Sequence, residues 1–198
     1  NEDKEIINKK FKKKFIKVKG IGIKSNYNIR KKKYINCKLN IGIIGAYRKN
    51  KGYISLLQIA KNLIDKDITF NCYGYDYASN FFSFINKTKT NNIILNNFVN
   101  DIESKIDNFD ILLHLSNREG LPISVIQSLS RGVPVLGFNI RGMNDLIVDD
   151  FNGYLFEFNQ LQDVINKLNF LYHDANKLKS LSNNALQTIN EKFYSKYI

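Results

Sequence analysis

Residues 110–135, with the sequence DILLHLSNREGLPISVIQSLSRGVPV, decide the fold of this chain. The stretch begins with an apolar run typical of a buried strand and continues through a polar loop that contains Glu119 and Gly120. A helical pattern then begins near Pro122, where proline is well tolerated because an N–H group has no helical partner in the first turn. A second apolar run follows Gly132. The order strand, loop, helix, strand predicts one βα unit of a parallel sheet.

The same alternation continues on both sides of this unit. Short apolar runs predict strands at 39–45, 68–73, 93–95, 110–115, 133–138 and 153–156. Helical patterns fall at 51–64, 77–85, 102–106, 122–130, 143–147, 161–171 and 175–191. Right-handed crossovers between parallel strands place the helices on both faces of the sheet. The sequence therefore predicts an α/β fold, a doubly wound parallel sheet of the Rossmann-like type.

Composition excludes several other classes of protein. The 198 residues are 43% hydrophobic and 13% aromatic, which is enough to form a core and too apolar for a disordered chain. No apolar run approaches the roughly 20 residues of a membrane-spanning helix. Two cysteines, Cys37 and Cys72, make no disulfide scaffold. They favour a reducing compartment, so the sequence predicts a cytoplasmic location.

The positive charge is concentrated at the start of the chain. Of the net +12, residues 1–38 hold 14 Lys/Arg against 3 Asp/Glu, whereas residues 39–198 hold 16 against 15. We interpret the basic segment foremost as a solvated arm. Attraction to an anionic membrane surface, with peripheral binding to the inner face of the membrane, remains open. Nucleic-acid binding is disfavoured, because few aromatic residues are interleaved with the lysines.

The loop after the strand at 110–115 carries the densest chemical signal. Ligands bind at the carboxyl ends of the strands in doubly wound sheets. The N–H groups and the dipole of the helix that begins at Pro122 favour a phosphate group there. At 1.5 Å per residue, Glu119 and Gln127 lie roughly 8–12 Å apart and flank that anion site. A sugar joined through a diphosphate to a nucleoside has matching dimensions.

His114, inside a predicted strand, is interpreted as a hydrogen-bonded core histidine.

Six motifs extend this signal over most of the chain. They are Gly20-Ile21-Gly22-Ile23, Gly45 with Lys51-Gly52, Glu119-Gly120-Leu121-Pro122, Gly132-Val133-Pro134-Val135, Arg141-Gly142-Met143-Asn144-Asp145-Leu146-Ile147 and Asn152-Gly153-Tyr154-Leu155. Together they resemble the retaining glycosyltransferases of family 4, specifically the C-terminal, donor-binding lobe of their GT-B fold. The resemblance covers roughly residues 18–195.

The resemblance implies roles for particular residues. It implies that Glu119 hydrogen-bonds the hydroxyls of the donor sugar. Lys51 matches a family lysine and would contact the diphosphate together with Arg48, although a solvated charge is an open alternative for both. The other donor-binding residues it implies are Gly45, Asn97, Val99, Gly120, Leu121, Pro122, Ile123 and Gln127. Among these, Asn97 and Val99 would face the nucleobase.

Two positions depart from the family pattern. Gln127 stands where the family has a second glutamate that binds both ribose hydroxyls, and Ala46 stands where it has an arginine. An amide offers one acceptor oxygen and no charge, so one ribose contact should be weaker. On this basis, the change Gln127→Glu should tighten nucleotide binding.

The resemblance also implies a domain plan and a function. Residues 1–38 would be a basic leader and linker remnant, 39–180 a nucleotide-sugar-binding domain, and 181–198 a helix packing toward an N-terminal lobe missing from this chain. The implied protein is a hexosyltransferase that moves a sugar from a nucleotide sugar, UDP-sugar being favoured, to a glycan or lipid-linked acceptor. No cofactor or metal is implied, and the isolated lobe is expected to be inactive. The alternatives are a catalytically inactive sugar-nucleotide-binding module with a partner subunit and, fitting less well, a GT-B epimerase.

Overall fold

The computed structural model describes residues 34–76 and 80–190, which form a six-stranded sheet with helices on both faces. The strands run in the spatial order β3-β2-β1-β4-β5-β6, and every neighbouring pair is parallel. Their bounds are β1 Leu39–Ile44, β2 Ile68–Tyr73, β3 Ile93–Asn96, β4 Ile111–His114, β5 Val135–Phe138 and β6 Gly153–Phe156. The strand order reverses between β1 and β4. The predicted doubly wound parallel sheet is confirmed.

Helices connect these strands. They are α1 Tyr53–Asn62, α2 Asn80–Thr88, α3 Glu103–Ile106, α4 Ile123–Ser130, α5 Leu161–His173 and α6 Ala175–Ile189, with a 3-10 turn at Lys49–Lys51 before α1. The central strands β4 and β5 are buried at every position. Burial on both faces explains why their sequences are continuous apolar runs without polar alternation.

Gly52 lies between the 3-10 turn and α1. Its φ angle is +78°, a left-handed value that ends the 3-10 turn and starts α1 at Tyr53. A Cβ added at Gly52 would lie 2.1 Å from the Leu115 carbonyl oxygen, so the chain approaches the end of β4 closely here. The helix predicted at 51–64 therefore starts later, at Tyr53, and ends earlier, at Asn62, while Lys51 belongs to the 3-10 turn.

The predicted helix at 143–147 was wrong. This segment is a series of turns, with the Met143 N–H donating to the Ile140 carbonyl and the Ile147 N–H donating to the Met143 carbonyl. Burial of Met143, Leu146 and Ile147 gives the helix-like spacing of apolar residues without a continuous helix. Residues 77–79 at the start of the predicted second helix lie outside the described residues.

The last helix crosses a predicted domain boundary. The limit between residues 180 and 181 falls inside α6, whose buried residues include Leu178, Ala185 and Ile189. Thr188 accepts a hydrogen bond from the buried Asn152 amide at 2.9 Å, so this helix packs on its own domain as far as it is described. Residues 191–198 lie outside the described part.

Most of the basic leader also lies outside the described residues, as does the motif at 20–23. The Cys37 N–H donates to the Tyr172 carbonyl at 2.6 Å, which joins the end of the leader to α5. Among residues 34–76 and 80–190, none of the helices is long and apolar enough to cross a membrane. The predicted membrane contact and cytoplasmic location remain predictions.

Candidate functional site

The candidate site lies at the carboxyl ends of β1 and β4, where the strand order reverses. Doubly wound sheets form a ligand crevice at this point because adjacent loops diverge to opposite faces. The two loops touch here, since the Asn117 N–H donates to the Asn50 carbonyl at 3.0 Å. The contact joins the loop after β4 to the 3-10 turn that carries Lys51.

Lys51 and Glu119 form an ion pair across these loops. Lys51 Nζ lies 2.5 Å from Glu119 Oε1, and the two side chains are 25% and 18% exposed. His114 Nε2 lies 3.6 Å from the same carboxylate oxygen. The fold thus brings together the cation and the carboxylate that the sequence placed at the diphosphate and the donor sugar. Their roles toward a ligand remain predictions.

Local charges control the protonation of this cluster. Burial raises the pKa of the Glu119 carboxyl, but hydrogen bonds from Lys51 and Ser116 and the Lys51 charge outweigh it, so the net shift is downward. Burial lowers the pKa of His114 to about 4, with the Glu119 charge opposing the shift. Near neutral pH the site therefore contains an ionised Glu119 and a neutral imidazole.

His114 differs from the expected hydrogen-bonded core histidine. The side chain is 5% exposed, as expected for a core residue. Its Nε2 atom, however, has no hydrogen-bond partner within the described part of the chain. The nearest acidic oxygen is that of Glu119, at 3.6 Å. The histidine therefore lies beneath the candidate site without being tied to it by a hydrogen bond.

The start of α4 is partly exposed, with Ile123 exposed and Pro122 buried. Pro122 is the N-cap, and its carbonyl accepts from the N–H groups of Val125 and Ile126. The N–H groups of Ile123 and Ser124 lie in the first turn, where helices leave donors for other partners. Eight residues of helix follow, so the dipole of α4 favours an anion at this end.

The loop that precedes α4 packs closely against Gly142. A Cβ at Gly120 would meet nothing within 4 Å, so this backbone borders open space. Gly142 has a φ angle of +85°, and a Cβ there would lie 2.1 Å from the Gly120 carbonyl oxygen. Leu121 and Ile123 are exposed at 44% and 51%. Glycine at 142 therefore lets the turns after β5 support the Glu119 loop from behind.

A cleft of about 340 Å³ opens at the carboxyl ends of β1 and β2 and is bordered by the loop after β3, by α3 and by Gln127 of α4. Lys51 and residues 119–123 are not among the residues that line it. It contains three of the predicted donor-binding residues, Gly45, Val99 and Gln127, and also Ala46. Tyr75 and Phe98 line it as well, with their ring centroids 5.6 Å apart and the planes nearly perpendicular. The cleft is thus mainly apolar.

The sequence analysis did not point to Glu103, and it gave no role to the side chains of Tyr75 and Phe98, although both lie in loops at the carboxyl edge of the sheet. Gln127 Nε2 donates to Glu103 Oε1 at 2.7 Å, and both residues line the cleft. Each of the missed residues follows a strand or begins a short helix at the carboxyl edge of the sheet. Their position at that edge was the available signal, but it did not separate them from ordinary loop residues.

Two other predicted residues lie less centrally. Arg48 is an exposed residue that precedes the 3-10 turn. Asn97 is exposed and is not among the residues lining the cleft, whereas its neighbour Phe98 is. In residues 34–76 and 80–190, no cluster of three or more His, Cys, Asp or Glu residues forms a metal site. The prediction that no metal is needed stays a prediction.

The fold and the position of the loops define the class of this domain. A six-stranded parallel sheet with this strand order is the architecture of the C-terminal domains of GT-B glycosyltransferases. The family described as glycosyl transferases group 1 matches residues 25–188, most of the chain. The chain belongs to this family.

Individual relatives that match this chain at low sequence identity are also named as glycosyltransferases. The capsular polysaccharide biosynthesis glycosyltransferase CapM of Staphylococcus aureus is 23% identical over 171 residues, 84% of this chain and 45% of CapM. The Escherichia coli UDP-Gal:alpha-D-GlcNAc-diphosphoundecaprenol alpha-1,3-galactosyltransferase is 27% identical over 148 residues, covering 70% of this chain and 38% of that protein. The chain spans less than half the length of these curated relatives.

Solved structures match over similar lengths. S. aureus TarM superposes with a TM-score of 0.84 at 21% identity, covering 98% of this chain and 40% of TarM. The C-terminal domain of the group 1 glycosyl transferase LpcC from Francisella tularensis gives a TM-score of 0.71 at 26% identity. That match covers 80% of this chain and 88% of the LpcC domain, so this chain corresponds in size to one domain.

Proposed function

We propose that this chain is the donor-binding domain of a retaining glycosyltransferase of family 4. It binds a nucleoside diphosphate sugar, with UDP-sugar favoured, and the complete enzyme transfers the sugar to a glycan or lipid-linked acceptor. The observation that carries the proposal is the Lys51–Glu119 pair, 2.5 Å apart in the loops after β1 and β4, with Lys51 next to Gly45 in the lining of a cleft of about 340 Å³. The cleft, the Lys51 ammonium group and the Glu119 carboxylate follow one another along the carboxyl edge of the sheet, which is the order that the nucleoside, the diphosphate and the sugar of a donor would need.

The relatives support the choice of donor. The E. coli relative carries UDP-Gal in its name. TarM was crystallised with UDP, and Anabaena Alr3699/HepE, with a TM-score of 0.73 at 18% identity, was crystallised with UDP and glucose. CapM is named for capsular polysaccharide biosynthesis. These names favour a UDP-sugar donor and a role in making a polysaccharide or glycolipid.

The proposed chemistry follows from the charges at the site. The bond between the anomeric carbon and the phosphate oxygen breaks, and the acceptor oxygen bonds to that carbon on the same face of the sugar. The acceptor proton passes to the departing phosphate oxygen. Lys51 and the N–H groups of Ile123 and Ser124 stabilise the charge that develops on the diphosphate. Glu119, ionised near neutral pH, accepts hydrogen bonds from sugar hydroxyls.

Lys51 and Glu119 must exchange partners when the donor binds. Without a ligand they neutralise each other at 2.5 Å. The donor supplies phosphate oxygens to the ammonium group and hydroxyl groups to the carboxylate, so both charges keep a partner in the complex. The existing pair therefore holds the two side chains near their proposed binding positions.

Isothermal titration calorimetry of the 198-residue chain with UDP, UMP, uridine and GDP tests the proposal. We expect UDP to bind more tightly than UMP and uridine, because the second phosphate reaches Lys51 and the start of α4. We also expect the chain alone to transfer no sugar, since it spans less than half the length of its curated relatives. Absence of heat with all four ligands would refute the proposal.

A further inference from the structure

The cleft contains a carboxylate that the family motif does not supply. Glu103 begins α3, and Gln127 lies near the middle of α4. Both line the cleft, and the Gln127 amide donates to Glu103 Oε1 at 2.7 Å. From this geometry we infer that Glu103 accepts the hydrogen bond of a ribose hydroxyl, with Gln127 beside it as its partner. The inference rests on the proposed function and names the ribose-recognition residue of that site.

The pair offers two acceptors to two neighbouring hydroxyls. A ribose presents its 2′- and 3′-hydroxyls side by side as donors. The hydrogen bond from Gln127 engages Oε1 of Glu103, which leaves the second carboxylate oxygen as an acceptor. With its NH₂ group turned to Glu103, Gln127 presents its amide oxygen as the other acceptor. The contact to Glu103 is charge-assisted and therefore the stronger of the two.

The pairing also explains why residue 127 is a glutamine. A glutamate there would bring a second carboxylate to hydrogen-bond distance from Glu103. Two like charges so close disfavour ionisation of both groups. The amide satisfies Glu103 and avoids that repulsion. The sequence-based expectation that Gln127→Glu alone tightens nucleotide binding is therefore revised.

An ion pair between Asp107 and Arg131 fixes Glu103 relative to Gln127. Arg131 Nε donates to Asp107 Oδ1 at 2.5 Å, and Arg131 Nη2 contacts the other carboxylate oxygen. Asp107 lies four residues after Glu103, and Arg131 lies four residues after Gln127. Residues four apart share a helix face, so the two pairs form consecutive contacts between α3 and α4. Arg131 is 8% exposed, so its ion pair with Asp107 is well shielded from solvent. The ion pair keeps α3, and with it Glu103, in place at the cleft.

The other cleft residues are consistent with a nucleoside. Tyr75 and Phe98 provide aromatic surface, and Gly45 provides backbone without a side chain. Within this lining, the side chains of Glu103 and Gln127 are hydrogen-bonded to each other. An apolar surface for a base beside a carboxylate–amide pair for a diol is the pattern that nucleoside recognition requires.

The test compares UDP with 2′,3′-dideoxy-UDP, which lacks both ribose hydroxyls. Calorimetry of the 198-residue chain should show that Glu103→Gln weakens UDP binding about tenfold, the effect of losing a hydrogen bond to a charged group. The same change should leave dideoxy-UDP affinity unchanged within about twofold. The double change Glu103→Gln/Gln127→Glu returns the carboxylate to the pair and should restore UDP affinity to within about threefold of wild type.

Glu157→Gln is the matched control. Glu157 accepts from the Asn139 amide at 2.6 Å in an exposed carboxylate–amide pair that does not line the cleft. Its replacement should leave both affinities unchanged. Circular dichroism and urea unfolding of each variant establish that the fold is intact.

The outcomes separate the inference from the proposed function. If wild type binds UDP but Glu103→Gln binds UDP equally well, the ribose role of Glu103 is overturned and nucleotide binding stands. An equal loss for UDP and dideoxy-UDP also overturns it, because a structural effect would explain the loss. A double variant as weak as Glu103→Gln overturns the pairing with Gln127. If wild type binds no UDP, the proposed function fails, and the inference fails with it.

Discussion

Lys51 and Glu119 are 68 positions apart in the sequence, yet their side chains meet at 2.5 Å. The contact depends on β1 and β4 being neighbours in the sheet, because each residue lies in the loop that follows one of these strands. Neither side chain is fully buried, so the ion pair by itself contributes little to stability. The pair matters for the proposed function because a bound donor would provide new partners for both charges.

Replacing Lys51 with Met should weaken UDP binding by about tenfold, since a charge-assisted hydrogen bond to phosphate is lost. Uridine binding should change little, because uridine has no phosphate. Calorimetry with both ligands measures the difference. Lys61→Met, on the exposed face of α1, is the control and should bind UDP as wild type does. Equal UDP affinities for Lys51→Met and wild type would exclude Lys51 from the phosphate site.

His114 gives a prediction about stability and pH. Its folded pKa is about 4, below the ordinary value of 6.5, chiefly because the imidazole is buried. The unfolded chain therefore takes up this proton at a higher pH than the folded chain does. The resulting stability is fully present above about pH 6.5 and is lost as the pH falls toward 4. Glu119, whose pKa is also lowered, acts in the same direction at lower pH.

We expect the unfolding free energy of wild type to fall between about pH 7 and about pH 5, with His114 contributing on the order of 2 kcal/mol of that fall. In His114→Asn this contribution should disappear, whatever the absolute stability of the variant. Urea unfolding at the two pH values measures it. The other histidine, His173, is exposed, and His173→Asn should keep the wild-type difference. An unchanged difference in His114→Asn would contradict the assignment.

At the scale of elements, the 3-10 turn, α1 and the end of β4 meet at Gly52. The change Gly52→Ala places a methyl group 2.1 Å from the Leu115 carbonyl oxygen and forces a residue with a side chain to a φ of +78°. The unfolding free energy should fall by at least about 2 kcal/mol. Gly120→Ala is the control for stability, since its Cβ meets no atom within 4 Å. A Gly52→Ala variant as stable as wild type would show that this close approach is not required.

The elements also show what the sequence can and cannot predict. β4 and β5 were predictable because burial on both faces leaves a continuous apolar signal. The break at Gly52 was not, because glycine is permissive and its left-handed conformation depends on a distant carbonyl. The turns at 143–147 were misassigned because burial of Met143 and Leu146 imitates helical spacing.

The candidate site also contains some residues that the sequence predicts and one that it does not. Glu119 and Lys51 were assigned by their motifs, and parallel topology explains why they meet. Glu103 carries no motif and is 24 positions from Gln127 in sequence. Only the packing of α3 on α4 reveals the pair. The sequence alone therefore did not connect the glutamine at position 127 with the carboxylate of Glu103.

At the scale of the whole molecule, one domain provides the cleft and the Lys51–Glu119 pair but represents less than half the length of its curated relatives. The LpcC domain of comparable size was crystallised separately, which makes the isolated chain a reasonable object for binding studies. We expect acceptor choice and linkage to depend on the rest of the proposed transferase. The donor site can be tested on this chain alone.

The central claim is that the carboxyl edge of β1, β2 and β4 binds a nucleoside diphosphate sugar in one defined direction. A crystal structure of the chain soaked with UDP-glucose tests it most directly. We predict the base and ribose in the cleft between Phe98 and Glu103, the diphosphate between Lys51 and the start of α4, and the sugar beside Glu119. A nucleotide bound elsewhere, or a cleft that holds no nucleotide in crystals soaked at high ligand concentration, would contradict the account.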